Sequence, residues 1–160
     1  MSLSMYFFVI LYIMRNEKTP IHLYGNWKMN PQTLDQALTL SKDIAKLSKK
    51  FHGGNIYLAV PHVFLYPLVK QTKGALQIGV QNIHQEKDGA HTGDISITEA
   101  KSVGASFTII GHSERRALGE TDEVINKKVL GTVTQNMGVV LCVGETVRDK
   151  EGLYLKVIKN

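Results

Sequence analysis

Short apolar runs recur along the chain, and each leads into a stretch with helical periodicity. The runs begin near His22, Asn55, Leu76, Ser106 and Gly138. Several are nearly continuous in apolar residues, as in NIYLAV, SFTII and GVVLCV, rather than alternating. Such runs predict strands that are buried on both faces of a parallel sheet and connected by helices. The pattern therefore predicts an α/β protein with about five βα units.

Two of the helical stretches carry clear boundary signals. The first has apolar and small residues at helical spacing from Leu34 to Ser48, with Pro31 near its start, and should end by Gly53. The second should begin at Thr121, whose hydroxyl can cap it, and should end before Gly138. Its predicted buried side consists of Ile125, Val129, Val133 and Met137.

The order of elements leaves two architectures open. A series of βα units can close into an eight-stranded barrel or form an open doubly wound sheet. A barrel usually needs about 250 residues, whereas this sequence has 160. A doubly wound sheet usually carries G-x-G-x-x-G after its first strand, and the segment at that place reads GNWKMN. The hydrophobic pattern alone does not decide between them.

One irregular segment, Asn82 to Asp94, is too long to be a simple connector. It contains Gly89 and Gly93, which suit a loop with a defined shape. We expect this loop to have a function of its own.

The apolar run from Met5 to Met14 precedes the βα series. It is too short to cross a bilayer as a helix, which takes about 20 residues. It lacks the basic residues before it and the small-residue cleavage site after it that a secretory signal would have. It could be an ordered accessory strand, or the product of an early start codon with Met14 as the natural start. We treat residues 1–18 as an extension and 19–160 as the domain.

Composition narrows the class of protein. The apolar content of 43% can form a core, and the formal charge of +5 is not concentrated in a basic surface interleaved with aromatic residues, so we expect no nucleic-acid partner. The single cysteine, Cys142, excludes an internal disulfide and suits a reducing compartment. No metal-ligand spacing is visible, and no membrane segment is expected.

Lys28 is a charge in an apolar context, between Trp27 and Met29, in an element that is predicted to be buried on both faces. Burying an ammonium group is costly unless a partner charge or a ligand compensates. A cation at the carboxyl end of a parallel strand would suit a phosphate or a developing oxyanion. A structural ion pair with a carboxylate such as Glu114 is the alternative.

His112 follows a strongly apolar run and precedes Ser113 and Glu114, a pair that typically begins a helix. The positive end of a helix dipole disfavours a charged imidazole, so His112 is expected to be neutral and to donate a hydrogen bond to a carbonyl. A histidine satisfied within the core is the alternative. The remaining histidines are assigned to the core or to the surface: His22, His52, His62, His84 and His91.

The motifs YGNWKMN, IIGHSERR and VLCVGET together resemble the triosephosphate isomerase family, which consists of (β/α)8 barrel enzymes of glycolysis and gluconeogenesis. The resemblance covers about Ile21 to Asn160, and QNIHQEKDGAHTGDIS is similar to the long third loop of the family. It implies an α/β fold that is an incomplete TIM (β/α)8 barrel with about five βα units of parallel sheet. It also implies a cytoplasmic protein that needs no cofactor and no metal.

The resemblance also implies roles for individual residues. Asn26 and Lys28 would contact a small phosphorylated triose, and Lys28 would offset the charge of the phosphate and of the enediolate. His112 would be the neutral electrophile, so Lys28 and His112 are the candidate catalytic residues. The pairing of a neutral histidine with a carboxylate base is the well-known catalytic arrangement of this enzyme family.

Three further residues match supporting positions of the family. Ser113 and Glu114 would support the catalytic residues, with Glu114 contacting Lys28. Thr92 matches a loop-tip threonine that, in the family, reaches into the site of the neighbouring subunit. A full-length protein of this kind is expected to be a homodimer.

The general base is missing from this pattern. In the family it is a glutamate that follows the sixth strand in a Y-E-P-x-W context, and no such stretch occurs in the 160 residues. Glu145, after the fifth predicted strand, is a poor substitute, since complete members of the family carry the same CVGE segment beside the true base. The loops that would bind phosphate after strands seven and eight are also missing.

Two hypotheses of different class follow. The first is a truncated isomerase that interconverts dihydroxyacetone phosphate and glyceraldehyde 3-phosphate when complete and is inactive as the 160-residue chain. The second is a non-catalytic half-barrel that binds a partner or a phosphorylated ligand, with Met5 to Met14 covering its open edge. Persistence of both NWKMN and GHSERR favours the first.

Overall fold

The computed structural model describes residues 8–10 and 20–144 of the chain. The elements, in chain order, are β1 (Phe8–Ile10), β2 (Ile21–Asn26), α1 (Leu34–Ser48), β3 (Gly54–Val60), α2 (His62–Thr72), β4 (Gln77–Val80), α3 (Ile97–Ser102), β5 (Phe107–Ile110), α4 (Ser113–Ala117), α5 (Asp122–Thr134) and β6 (Gly138–Leu141). All five predicted strands, β2 to β6, are present.

The strands form one sheet in the order β1-β2-β3-β4-β5-β6. The pairs from β2 to β6 are parallel, and β1 pairs with β2 in the antiparallel direction. Parallel strands that neighbour each other in chain order, with connecting helices, are the arrangement from which an eight-stranded barrel is built. The open alternative, a doubly wound sheet, requires the strand order to reverse, so the predicted partial barrel is confirmed.

The two faces of the sheet pack against different partners. In β3, Leu58 and Val60 belong to the main core, to which the helices also contribute, whereas Ala59 belongs to a second cluster on the opposite face. In β5, Ile110 packs in the main core and Phe107 in the second cluster. Because both faces are covered, successive residues are all apolar, which explains the continuous runs in the sequence.

The second cluster is built around three aromatic rings on the inner face of the sheet. The rings of Tyr24 and Tyr57 are stacked with their centroids 4.4 Å apart, and Phe107 approaches each of them edge-on at 5.7 Å. Burial, followed by the neighbouring Tyr57, raises the pKa of Tyr24 above its ordinary value. The inner face is therefore a largely apolar surface at this level of the sheet.

The predicted helix boundaries are confirmed in α1 and at the start of α5. Thr33 accepts a hydrogen bond from the N–H of Gln36 at 3.3 Å, and Thr121 accepts one from the N–H of Val124 at 3.4 Å. Both hydroxyls satisfy N–H groups that have no partner within the helix.

The predicted buried side of α5 is partly wrong. Ile125 is buried, but Val133 is 58% exposed, and Met137 is buried beyond the end of the helix. The buried side instead includes Lys128 and Thr132. An apolar pattern could not show this, because Lys128 is buried through an ion pair with Glu120 rather than through an apolar contact.

The N-terminal extension contributes a strand to the fold, since Phe8–Ile10 form β1. The rest of the run from Met5 to Met14 lies outside the described residues, and the domain boundary at residue 18 stays a prediction. Within residues 8–10 and 20–144, no helix is long and apolar enough to cross a membrane.

A substitution at Gly79 tests how closely the inner face of the sheet is packed. A Cβ at this position would lie 2.4 Å from the ring of Phe107 and 2.5 Å from its carbonyl oxygen. We expect Gly79→Ala to lower the free energy of unfolding by about 2–3 kcal/mol, because backbone and ring must both move. Gly53→Ala is the control, since its nearest neighbour would be 3.9 Å away. Urea unfolding of both variants measures the effect, and equal stabilities would contradict the packing described.

Candidate active site

A cleft of about 320 Å³ lies at the carboxyl ends of β2, β4 and β5. The residues around it come from the ends of several strands and from the segments that follow those strands. The residues lining it are Asn26, Lys28, His62, Gln81, Asn82, Gly93, Asp94, Ile95, His112, Glu114 and Arg115. Four of the residues predicted from the sequence therefore line one cleft: Asn26, Lys28, His112 and Glu114.

Lys28 has a left-handed backbone conformation, with φ of 52°. This conformation costs a non-glycine residue about 1–2 kcal/mol, so the surroundings must hold it. The N–H of Lys28 donates to Oδ1 of Asn26 at 2.9 Å, and its carbonyl accepts from Nε2 of Gln81 at 2.7 Å. Two strand ends thus fix the backbone of one lysine.

The side chain of Lys28 is less buried than predicted. It is 35% exposed, whereas Trp27 is buried and Met29 is 83% exposed. The expectation that Lys28 lies in an element buried on both faces is wrong, because β2 ends at Asn26 and the lysine lies in the turn beyond it. Its ammonium group can therefore meet a ligand from solvent.

Glu114 holds Lys28 from the other side of the cleft. Nζ of Lys28 donates to Oε1 of Glu114 at 2.6 Å. This hydrogen bond, together with the charge of Lys28, lowers the pKa of Glu114 below its ordinary value, although partial burial works against the shift. Glu114 is thus the acceptor of the pair in its ionised form, and it fixes where the ammonium group lies.

The backbone of Glu114 also orients His112. The N–H of Glu114 donates to Nδ1 of His112 at 3.2 Å, and His112 is the N-cap residue of α4. Because Nδ1 accepts this bond, the ring is neutral and its proton is on Nε2. The charge interaction between Nδ1 and Oε2 of Glu114, at 3.7 Å, would require a proton on Nδ1, and the shorter backbone bond excludes it.

The floor of the cleft is supported by a buried polar network. Nζ of Lys128 donates to Oδ1 of Asn82 at 2.8 Å and forms an ion pair with Glu120, and the side chains of both charged residues are at most 5% exposed. Nε2 of His62 donates to the carbonyl oxygen of Asn82 at 2.8 Å. Asn82 is therefore held by two groups, at the point where the long loop begins.

The other predicted residues lie near the cleft without lining it. Ser113 is exposed at the first position of α4, and Thr92 is exposed in the turn before Gly93. Glu145 lies outside the described residues. Within 20–144, no group of three or more histidine, cysteine, aspartate or glutamate side chains could hold a metal ion.

Several cleft residues were not selected from the sequence. Gln81 and Asn82 directly follow β4, so the strand-end rule that selected Asn26 and His112 would have found them too. His62 begins α2 after β3 and was assigned to the core or the surface. Lys128 gave no sequence signal, because a lysine within an amphipathic helix is usually exposed.

Consecutive parallel βα units with a cleft at the carboxyl ends of the strands define a protein of the (β/α)-barrel class, in which functional sites lie at that end of the strands. A sequence model of the family described as triosephosphate isomerase matches residues 21–160. The triosephosphate isomerase of Chlorobium phaeobacteroides is 40% identical over 130 residues, covering 80% of this chain and 52% of that protein. That of Clostridium acetobutylicum is 40% identical over 136 residues, covering 84% and 54%.

A solved structure gives the same result. The crystal structure of triosephosphate isomerase from Bartonella henselae matches with a TM-score of 0.74 and 33% identity, covering 86% of this chain and 57% of that one. The chain belongs to the triosephosphate isomerase family. It spans about half the length of the curated relatives it matches.

The ion pair between Lys28 and Glu114 makes a testable pH prediction. Glu114 should titrate below 4.5, the ordinary value for glutamate, and Lys28→Met should raise its pKa towards that value. Since the folded-state pKa is lowered, the pair stabilises the fold above the ordinary pKa and loses its contribution as the pH falls through the folded-state value. The contribution should be less than about 1 kcal/mol because the pair is exposed.

Carbon-detected NMR titration of the Glu114 carboxyl group measures this shift directly. Lys42→Met removes the same charge from the exposed face of α1 and should leave the pKa of Glu114 unchanged. An unaltered titration of Glu114 in Lys28→Met would contradict the assigned pairing.

Proposed function

We propose that this chain provides the substrate-binding and carbonyl-polarising part of a triosephosphate isomerase site, for the interconversion of dihydroxyacetone phosphate and glyceraldehyde 3-phosphate in glycolysis. The observation that carries the proposal is the position of Glu114. Its carboxylate holds the Lys28 ammonium group, and its backbone N–H fixes the proton of His112 on Nε2. One residue thus orients both groups towards one cleft.

The proposed chemistry follows from the neutral ring of His112 and the positive charge of the Lys28 ammonium group. Isomerisation moves a proton between adjacent carbons and passes negative charge onto the carbonyl oxygen. A neutral imidazole with its proton on Nε2 donates a hydrogen bond to that oxygen without carrying charge itself. The Lys28 ammonium group offsets the charge of the phosphate and of the developing enediolate. Asn26, whose Oδ1 holds the Lys28 backbone, contributes a second contact to the ligand.

The described carboxylates of the cleft do not suit the role of general base. Glu114 is held by the Lys28 ammonium group, and its lowered pKa makes it a weaker base. Asp94, on the long loop, is directed towards His84 instead, since its Oδ2 lies 3.7 Å from Nε2 of that ring. In the family, the base follows the sixth strand of the barrel. Here β6 is the fifth strand of the parallel series, because the antiparallel β1 does not belong to that series. We therefore propose that the 160-residue chain does not turn over substrate by itself.

The long loop supports a proposed homodimer of the complete protein. Thr92 is exposed near its tip, which suits insertion into a second subunit, as the family resemblance implies. No observation on residues 20–144 favours the other hypothesis, a non-catalytic half-barrel that binds a partner or a phosphorylated ligand.

Ligand binding tests the proposed roles. We expect dihydroxyacetone phosphate to bind about 10–100-fold more weakly to Lys28→Met than to the unmodified chain, because a charge-assisted contact contributes about 1.5–3 kcal/mol. Lys42→Met, which changes the net charge equally, should bind normally. Calorimetric titration measures the affinities, with dihydroxyacetone as the ligand that lacks the phosphate. Equal weakening by both variants would show only a general charge effect and would contradict the assignment.

Turnover tests the absence of a base. The purified 160-residue chain should convert glyceraldehyde 3-phosphate no faster than His112→Gln does, because polarising the carbonyl has little effect when no base removes the proton. A coupled dehydrogenase assay measures the rate. Rapid isomerisation by the unmodified chain, lost in His112→Gln, would show that a base is present within these residues.

A further inference from the structure

We propose that His62 is a positioning residue of the cleft, which acts by fixing the backbone of Asn82. Through Asn82 it keeps the adjacent Gln81 on the carbonyl group of Lys28. His62 is the first residue of α2 and lines the cleft, and its Nε2 lies 2.8 Å from the carbonyl oxygen of Asn82. The inference rests on the proposed function, because it concerns the groups that would hold the triose phosphate, but part of its test needs no ligand.

The bond between His62 and Asn82 requires a proton on Nε2 of the ring. A carbonyl oxygen only accepts hydrogen bonds, so Nε2 is the donor. Both a neutral ring with its proton on Nε2 and a charged ring can donate this bond. The ring of His112 differs, because its Nδ1 accepts a bond and must therefore carry no proton. His62 can thus hold Asn82 whichever charge its ring carries.

The register of the sheet shows why a bond at this place matters. The ladder between β3 and β4 ends with the last residue of each strand. Two side-chain hydrogen bonds then connect the strand ends in opposite directions. His62, after β3, donates to Asn82, after β4, and Nε2 of Gln81 donates back to the carbonyl oxygen of Ala59 in β3 at 3.3 Å. The two bonds together hold the ends of β3 and β4 at the level where the cleft begins.

The side-chain amide of Gln81 also holds Lys28. Its Nε2 donates to the carbonyl oxygen of Lys28 at 2.7 Å, and the left-handed backbone of Lys28 needs such support. The direction of the Gln81 side chain depends on the backbone around it. Asn82, the next residue, is held at its carbonyl by His62 and at its Oδ1 by Lys128, which lies 2.8 Å away. Loss of the donor at His62 should therefore loosen the contact between Gln81 and Lys28.

Two simpler roles for His62 do not account for this contact. The ring does not cap its own helix, because the N-cap residue of α2 is Pro61 and the helix has no side-chain cap hydrogen bond. A ring that only filled space would need no donor, whereas Nε2 lies at an ordinary hydrogen-bond distance from an oxygen that is 20 residues away in the chain. The donor is thus the property of His62 that the structure uses.

Two variants of His62 separate the donor from the ring. His62→Phe keeps an aromatic ring without a donor, whereas His62→Gln has an amide N–H that can replace that of Nε2. We expect dihydroxyacetone phosphate to bind about 3–10-fold more weakly to His62→Phe than to the unmodified chain, and His62→Gln to restore binding to within about twofold. Calorimetric titration measures the affinities. His52→Phe, the same change at an exposed histidine in the turn after α1, is the control and should bind normally.

Hydrogen exchange gives a reading that needs no ligand. The side-chain amide of Gln81 should exchange at least about fivefold faster in His62→Phe than in His62→Gln or in the unmodified chain. NMR measures this exchange, and the nitrogen chemical shifts of the His62 ring should show a proton on Nε2.

Equal exchange of the Gln81 amide in His62→Phe and in the unmodified chain would overturn the proposal. Equal effects of His62→Phe and His62→Gln would also overturn it, since they would show that the ring acts by packing alone. If even the unmodified chain does not bind dihydroxyacetone phosphate, the proposed function fails, whereas the exchange of Gln81 still decides this inference. If His62→Phe does not fold, the unmodified chain decides, because a ring with its only proton on Nδ1 could not donate to Asn82.

Discussion

The strained backbone of Lys28 is the constraint on which the cleft depends. A left-handed lysine is stable only while other groups hold it. Gln81 from the end of β4 holds its carbonyl, Asn26 from β2 holds its N–H, and Glu114 from α4, which follows β5, holds its ammonium group. These residues meet because the carboxyl ends of parallel strands lie at one edge of the sheet. The parallel arrangement of the strands is therefore also what brings the residues of the cleft together.

The hydrophobic pattern predicted the strands well because burial on both faces leaves a strong signal, whereas the choice of a barrel came from the family resemblance. Apolar runs gave all five strands of the βα series, and the capping residue Thr121 gave the start of α5. The reasoning failed where a polar residue is buried by a specific partner. Lys128 is buried because Glu120 and Asn82 satisfy it. Glu120 precedes α5 and Asn82 is 46 residues away, so neither pairing leaves a pattern within the helix.

The cleft was predicted only in part for a related reason. The positions of Lys28 and His112 followed from the rule that functional groups lie at strand ends, and the same rule applied to β4 would have given Gln81. The local environment was less accessible to sequence reasoning. The sequence suggested that Lys28 is buried, but Lys28 lies two residues past the end of β2, in a turn that exposes its ammonium group to the cleft. A hydrophobic pattern does not locate the end of a strand to the residue, so this boundary is known only from the three-dimensional structure.

The contacts of Lys28 also determine when the cleft can form during folding. Lys28 and Gln81 are 53 residues apart in the chain, and Lys28 and Glu114 are 86 apart. Closing loops of this length costs entropy before any contact compensates for it. We therefore expect local helices and adjacent strand pairs to form earlier, and the left-handed turn to reach its final geometry only when β2, β4 and β5 are in place. The assembled cleft is thus a marker that the sheet has finished folding.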